Sequence, residues 1–332
     1  MSEKIKVKAA VAPSLEFQYM PSVFIDGLAS AAQNDKYGFI DKTGAFAIPC
    51  VYDSADSFRE GLACVKKDGR CGYIDKSGAF AIPDISEVLG WFSEGLAHVQ
   101  QNGKYGYIDK TGALAVPCVY DGAGFFVGGM APVGKDGKCG FIDKSGNLAV
   151  PLVYDITRDF SDGLAGVAKN GKLGFIDRSG SLAIPCIFDE DKSESFSDGL
   201  ARVWKNGEVV FIDKTGETAI PQIGERAGPF REGLAWVKKD GKRGFMDTAG
   251  NIAIPCVYDE SYVFSEGLAV AVKGGKSGYI GKTGEVIVPF EYDYDKLNEY
   301  SDLDWAFCTP FREGLALARK AGKWGILEIE KP

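Results

Sequence analysis

The stretch FSEGLAHVQQNGKYGYIDKTGALAVPCVYD, residues 92–121, decides the fold. Its opening motif, F-x-D/E-G-L-A, returns at 24–29, 58–63, 92–97, 126–131, 160–165, 196–201, 230–235, 264–269 and 311–316, where Phe, Gly and Ala hold throughout. The motif glycines lie 34 residues apart six times, 36 once and 47 once. Self-similarity at a fixed period marks a tandem array, in which one small unit is copied and the copies share a core.

A 34-residue period also belongs to helix–turn–helix repeats, and the interior of the period excludes them. The segment after G-L-A alternates, as in ACVKK, and runs into Asn-Gly or Asp-Gly: Asp68-Gly69, Asn102-Gly103, Asp136-Gly137, Asn170-Gly171, Asn206-Gly207 and Asp240-Gly241. Such pairs accept positive φ at both central positions of a type I′ hairpin turn. A second strand such as KYGYID follows, then D-K-T-G or D-K-S-G, whose Asp is expected to cap the amides of its own turn. A third strand is expected to end at Ile-Pro or Val-Pro, because Pro has no amide hydrogen for the ladder. A loop, often Val-Tyr-Asp, leads to the next Phe. The reading is all-β: nine three-stranded antiparallel meanders of about 34 residues, in a propeller-like ring or a curved open solenoid. A meander this small cannot bury its apolar face alone, so the recurrent Phe is the expected plug between units.

The whole chain, 1–332, reads as one array. Residues 1–23 supply a capping or closing strand and 24–330 the nine repeats. The last repeat stops after its second strand, while Ile5 to Pro13 read as an isolated third strand. Closure of a ring by this strand exchange is the expectation, with the open solenoid as the rival.

G-L-A-x-V, N-G-K-x-G-Y-I-D-K-T-G and I-P-x-x-Y-D together resemble the bacterial WG-repeat (KWG-repeat) family over residues 24–330. The Trp of that name stands only in Lys323-Trp324-Gly325; elsewhere the position holds Tyr37, Cys71, Tyr105, Cys139, Leu173, Arg243 or Ser277, and Val209-Val210 replaces the Gly as well. The resemblance implies a repeat scaffold and carries no catalytic residues.

Composition narrows the function. Net charge is −8, which argues against nucleic-acid or anionic-membrane partners. With no continuous apolar span or signal-peptide core, a cytoplasmic location is expected. The single His, His98, reads as a surface residue, and no nucleophile elbow or phosphate loop accompanies it. Four of eight cysteines, Cys50, Cys118, Cys186 and Cys256, follow Ile-Pro or Val-Pro and so track the repeat rather than a disulfide framework. Trp204 and Trp236 are candidates for an exposed aromatic patch, against packing in the core or at an edge.

The longest irregularity is the acidic and aromatic insertion at 290–311. Its Tyr292, Asp293, Tyr294, Asp295, Glu299, Tyr300, Asp302, Asp304 and Trp305 are the candidate binding residues. No catalytic residue, metal or cofactor is assigned. The function read is a non-catalytic module or scaffold for an unidentified protein. Binding of a carbohydrate or cell-envelope ligand is the alternative, and a hydrolase with paired carboxylates the third reading. The sequence does not set the oligomeric state.

Overall fold

The computed structural model describes residues 5–83, 85, 90–190, 194–205, 207–221, 226–294 and 308–330. Every regular element among them is a β-strand, and among these described residues no helix is long and apolar enough to cross a membrane. The chain divides into two compact units, Met1–Phe58 with Ile223–Pro332, and Arg59–Gln222.

The fourth repeat shows the common plan. Met130–Lys135 pairs with Lys138–Asp143, which pairs with Leu148–Tyr154, all antiparallel. Asp136 and Gly137 turn the hairpin at φ 52° and 73°, as a type I′ turn requires. Nine such hairpins occur among the described residues, from Ala29–Gln33 with Lys36–Ile40 to Leu315–Lys320 with Lys323–Ile329. Several sheets gain a further strand ahead of the hairpin, which stops short of the motif Phe except at Ile156–Ser161, where it includes Phe160. Gly122–Ala123, Ile156–Ser161, Arg226–Ala227 and Glu260–Ser261 each pair with the first strand that follows. Three of these are two residues long, too short to carry an alternating pattern.

The third strand does not stop at its Pro, which corrects the expectation. Leu148–Tyr154 runs through Pro151, and Leu114–Tyr120 through Pro117. Register explains it: Phe175 faces Ile184 while Leu173 faces Phe188, so two extra residues bulge beside Pro185. A prolyl nitrogen inside a bulge has no ladder partner to lose. The bulge crosses the Gly of K-x-G, and a Cβ on Gly174 would stand 2.5 Å from the Ile184 carbonyl oxygen. The second and sixth repeats lack Val-Tyr-Asp, and their third strands, Phe80–Ile82 and Thr218–Ile220, end at the Pro.

The motif Phe is the plug between repeats. It packs on the ring that follows the K-x-G glycine of the preceding repeat, with centroids 4.8 Å apart for Tyr73–Phe92, Tyr107–Phe126, Phe175–Phe196 and Phe245–Phe264. Each buried Phe contributes roughly 1.5–3 kcal/mol, and the edge-on ring pair about 0.5–1.5 kcal/mol more.

In the unit that holds both chain ends, Val7–Leu15 pairs with Lys323–Ile329, Val7 facing Ile329 and Leu15 facing Trp324. The N-terminal strand therefore completes the last repeat.

Candidate functional site

Most recurrent polar side chains have structural partners. Asp109 of D-K-T-G accepts from the amide and hydroxyl of Thr111. Asp41, Asp75, Asp177 and Asp213 do the same with the Thr or Ser two residues on. These bonds to the charged form hold the carboxyls below their ordinary range, the side-chain hydroxyl contributing most. In the eighth repeat Gly281 replaces the Asp, and Glu285 takes over the contacts to Thr283.

The Asp of Val-Tyr-Asp ties two hairpins. Asp155 pairs with Lys138 of its own repeat at 2.6 Å and accepts the Asn170 amide of the next turn at 2.7 Å. Asp121 and Asp259 repeat this arrangement with Lys104 and Asp136, and with Lys242 and Gly274.

The acid of F-x-E-G-L-A ties the opposite end. Ser93 and Leu96 exchange backbone bonds across Glu94-Gly95, so the motif is itself a two-residue hairpin turn, with Glu94 at φ 54°. Glu94 receives the amides of Gly128 and Gly129 and pairs with Lys144. Those contacts outweigh its partial burial and lower its carboxyl. Glu60, Glu232 and Glu313 make the corresponding bonds to the next repeat that has them, Glu313 reaching Asp26 and Gly27. Sequence reasoning missed this second turn, because Glu is not a usual residue at positive φ.

The insertion begins within this scheme. Tyr292 is buried, and Asp293 pairs with Lys276 and accepts the amides of Ala321 and Gly322. Tyr294 packs against the core around Phe311. Asp295, Glu299, Tyr300, Asp302, Asp304 and Trp305 lie outside the described residues. No group of three or more metal-ligating side chains occurs among the described residues.

The exposed apolar surface has a regular origin. Leu114, Leu148, Leu182 and Ile252 open the third strands of the third, fourth, fifth and seventh repeats, and Val119, Val153, Ile187 and Val257 stand near their ends, all prominently exposed. Leu148 is 53% and Val153 44% accessible. Between the two members of each pair only Ala, Pro and an aliphatic or Cys occur, so the stretch from one to the other carries no charge. In the unit Arg59–Gln222 these strands follow one another, because Gly146 packs on Val116, Gly180 on Val150 and Gly216 on Ile184. The sequence reading did not single this surface out, since aliphatic residues in strands read as core.

Trp236 is buried against Gly228 and under Arg243, and Trp204 is half-buried, so neither forms an open aromatic patch. His98 is half-buried rather than on the surface, with its ring over Gly90 and 5.0 Å from the Phe125 ring. The Cys186 and Cys256 thiols point at the carbonyls of Val167 and Val237, 3.7 Å away, and burial raises both.

Fold and seams thus define an all-β tandem-repeat module. The chain belongs to the WG-repeat family. The family described as WG containing repeat matches residues 37–71, 72–105, 105–139, 140–172, 174–208, 211–242, 244–276 and 278–324. Each match spans from one hairpin's second strand toward the next, so nine hairpins enclose eight matches. Among solved structures the chain is similar to one described as the crystal structure of the eukaryotic initiation factor. Identity is 12%, coverage 87% of this chain and 88% of that one, and the TM-score 0.58, a likeness of fold alone. It also matches the WD40 domain of SCAP from fission yeast at 8% identity, covering 99% of this chain and 98% of that one, with a TM-score of 0.42. No curated protein sequence matches the chain.

Proposed function

We propose that this chain is a non-catalytic module that docks a protein partner on its third strands. The observation behind this reading is the regular exposure of uncharged aliphatic pairs, Leu114 with Val119, Leu148 with Val153 and Leu182 with Ile187. Repeated apolar exposure on a folded surface is the mark of protein contact. The recurrent acids support the absence of catalysis, since amides, hydroxyls or lysines engage them. Aromatic pairing favours a protein over a glycan, because Trp91 and Tyr19 stack on Phe125 and Tyr37 instead of leaving both faces open. A cytoplasmic site of action without a cofactor fits eight free thiols. The acidic and aromatic insertion at 290–311 is the second docking element in this reading.

The test is affinity capture by the immobilised chain, by a Leu148→Lys/Val153→Lys variant and by a chain lacking 295–304. A partner kept by the deletion and lost by the lysine variant supports docking on the third strands. The reverse pattern moves the site to the insertion. No captured protein, with retention on a glycan array, contradicts the protein reading.

A further inference from the structure

In the unit Arg59–Gln222, three side chains from successive repeats form one layered stack. The Trp91 and Phe125 rings lie parallel, 3.9 Å apart and tilted by 6°, and the Arg59 guanidinium stands 4.6 Å from the Trp91 ring centre. A parallel ring at that separation fills one face of the indole, so Arg59 covers the other. Trp91 is nevertheless 36% accessible, through its edge. The lysines nearby in the repeat scheme, Lys104, Lys110, Lys138 and Lys144, are all ion-paired. Arg59 differs: among the described residues its guanidinium meets only the indole, and the Trp91 N–H likewise has no acceptor.

We propose that this stack is a binding site for a carboxylate on a peptide segment of a partner, an Asp or Glu side chain beside an apolar one. The polar groups of the stack itself, the Arg59 guanidinium and the Trp91 N–H, are both donors. A guanidinium presents a planar fork that matches a carboxylate with two parallel bonds. Stacking on Trp91 fixes the fork in advance, which lowers the cost of ordering it, and the exposed indole edge takes the adjoining apolar side chain. One cation balances a monoanion, whereas a phosphate dianion would stay under-compensated on a chain of net charge −8. Both indole faces are covered, so a sugar ring has no platform. The site is separate from the third strands and does not rest on docking there.

The experiment follows the Trp91 indole N–H resonance in the full-length protein, assigned through Trp91→Phe. The probes are acetyl-Leu-Glu-Leu-amide, its Gln counterpart and inorganic phosphate. The Glu peptide is expected to move the resonance to saturation, while the Gln peptide leaves it in place and phosphate competes weakly. Arg59→Gln is expected to weaken the Glu peptide by about tenfold or more with an unchanged melting temperature. Arg59→Lys is expected not to restore it, because an ammonium lacks the fork. No response to the Glu peptide, an equal response to the Gln peptide, tighter binding of phosphate, or an unchanged affinity in Arg59→Gln would overturn the proposal.

Discussion

At the residue scale, the glycines divide into two physical classes that the repeat alone does not separate. Gly163 sits at φ 88° in a turn with open space where a Cβ would go, so Gly163→Ala is expected to cost about 1–2 kcal/mol of backbone strain. Gly174 has no unusual φ but lies under the Ile184 carbonyl, so Gly174→Ala forces the bulge apart and is expected to cost about 2–4 kcal/mol. Urea unfolding of both variants checks the order. The sequence displays both glycines equally, and only the long-range register tells them apart. His98 was legible as a lone, variable position, yet its burial depends on Phe125, Tyr105 and Gly90 meeting around it. Burial lowers its pKa from 6.5, and the buried Nδ1 has no partner. The unfolded chain therefore takes up the proton first. The stability due to neutral His98 is complete above pH 6.5 and declines below it, toward the lower folded value. His98→Phe is expected to flatten that slope, measured as melting temperature against pH.

At the element scale, the third strand, which lies at the edge of its sheet in the described repeats other than the fifth, carries the apolar surface. Its hazard is pairing with another edge, and its Pro blocks that pairing. Pro151→Val is expected to change monomer stability by less than about 1 kcal/mol while lowering the temperature at which light scattering rises. The Pro was legible as a stop signal. Its place in a continuous strand was not, because the buried Tyr154 or Phe188 position and the Asp that clamps the next turn lie beyond it. The D-K-T-G turn was read fully, since Asp, Thr and Gly interact locally. The E-G turn was not, because its stabilising carboxylate comes from 34 residues away.

For the whole molecule, the nine-fold array and the exchange of the N-terminal strand were legible from the count of strands, whereas the fourth strands and the exposed third-strand surface needed the structure. Removing residues 1–15 leaves Lys323–Ile329 without its outer neighbour. The melting temperature is expected to fall by about 10 °C, which calorimetry would register. Acid acts on the whole array. Asp41, Asp75, Asp109, Asp143, Asp177, Asp213 and Asp247 are all lowered from 3.8, mostly by the Thr or Ser hydroxyl and in Asp143 and Asp247 chiefly by the Asn amide four residues on. Their stabilisation is complete above 3.8 and lost as pH falls through the lower folded values. Unfolding is therefore expected to be steep in acid, with several protons taken up together in a potentiometric titration. Hydrogen exchange of the chain with and without its captured partner tests docking on the third strands most directly. The expected result is new protection across Leu148–Tyr154 and Leu182–Asp189. Protection confined to 290–311, with those strands unchanged, would contradict it.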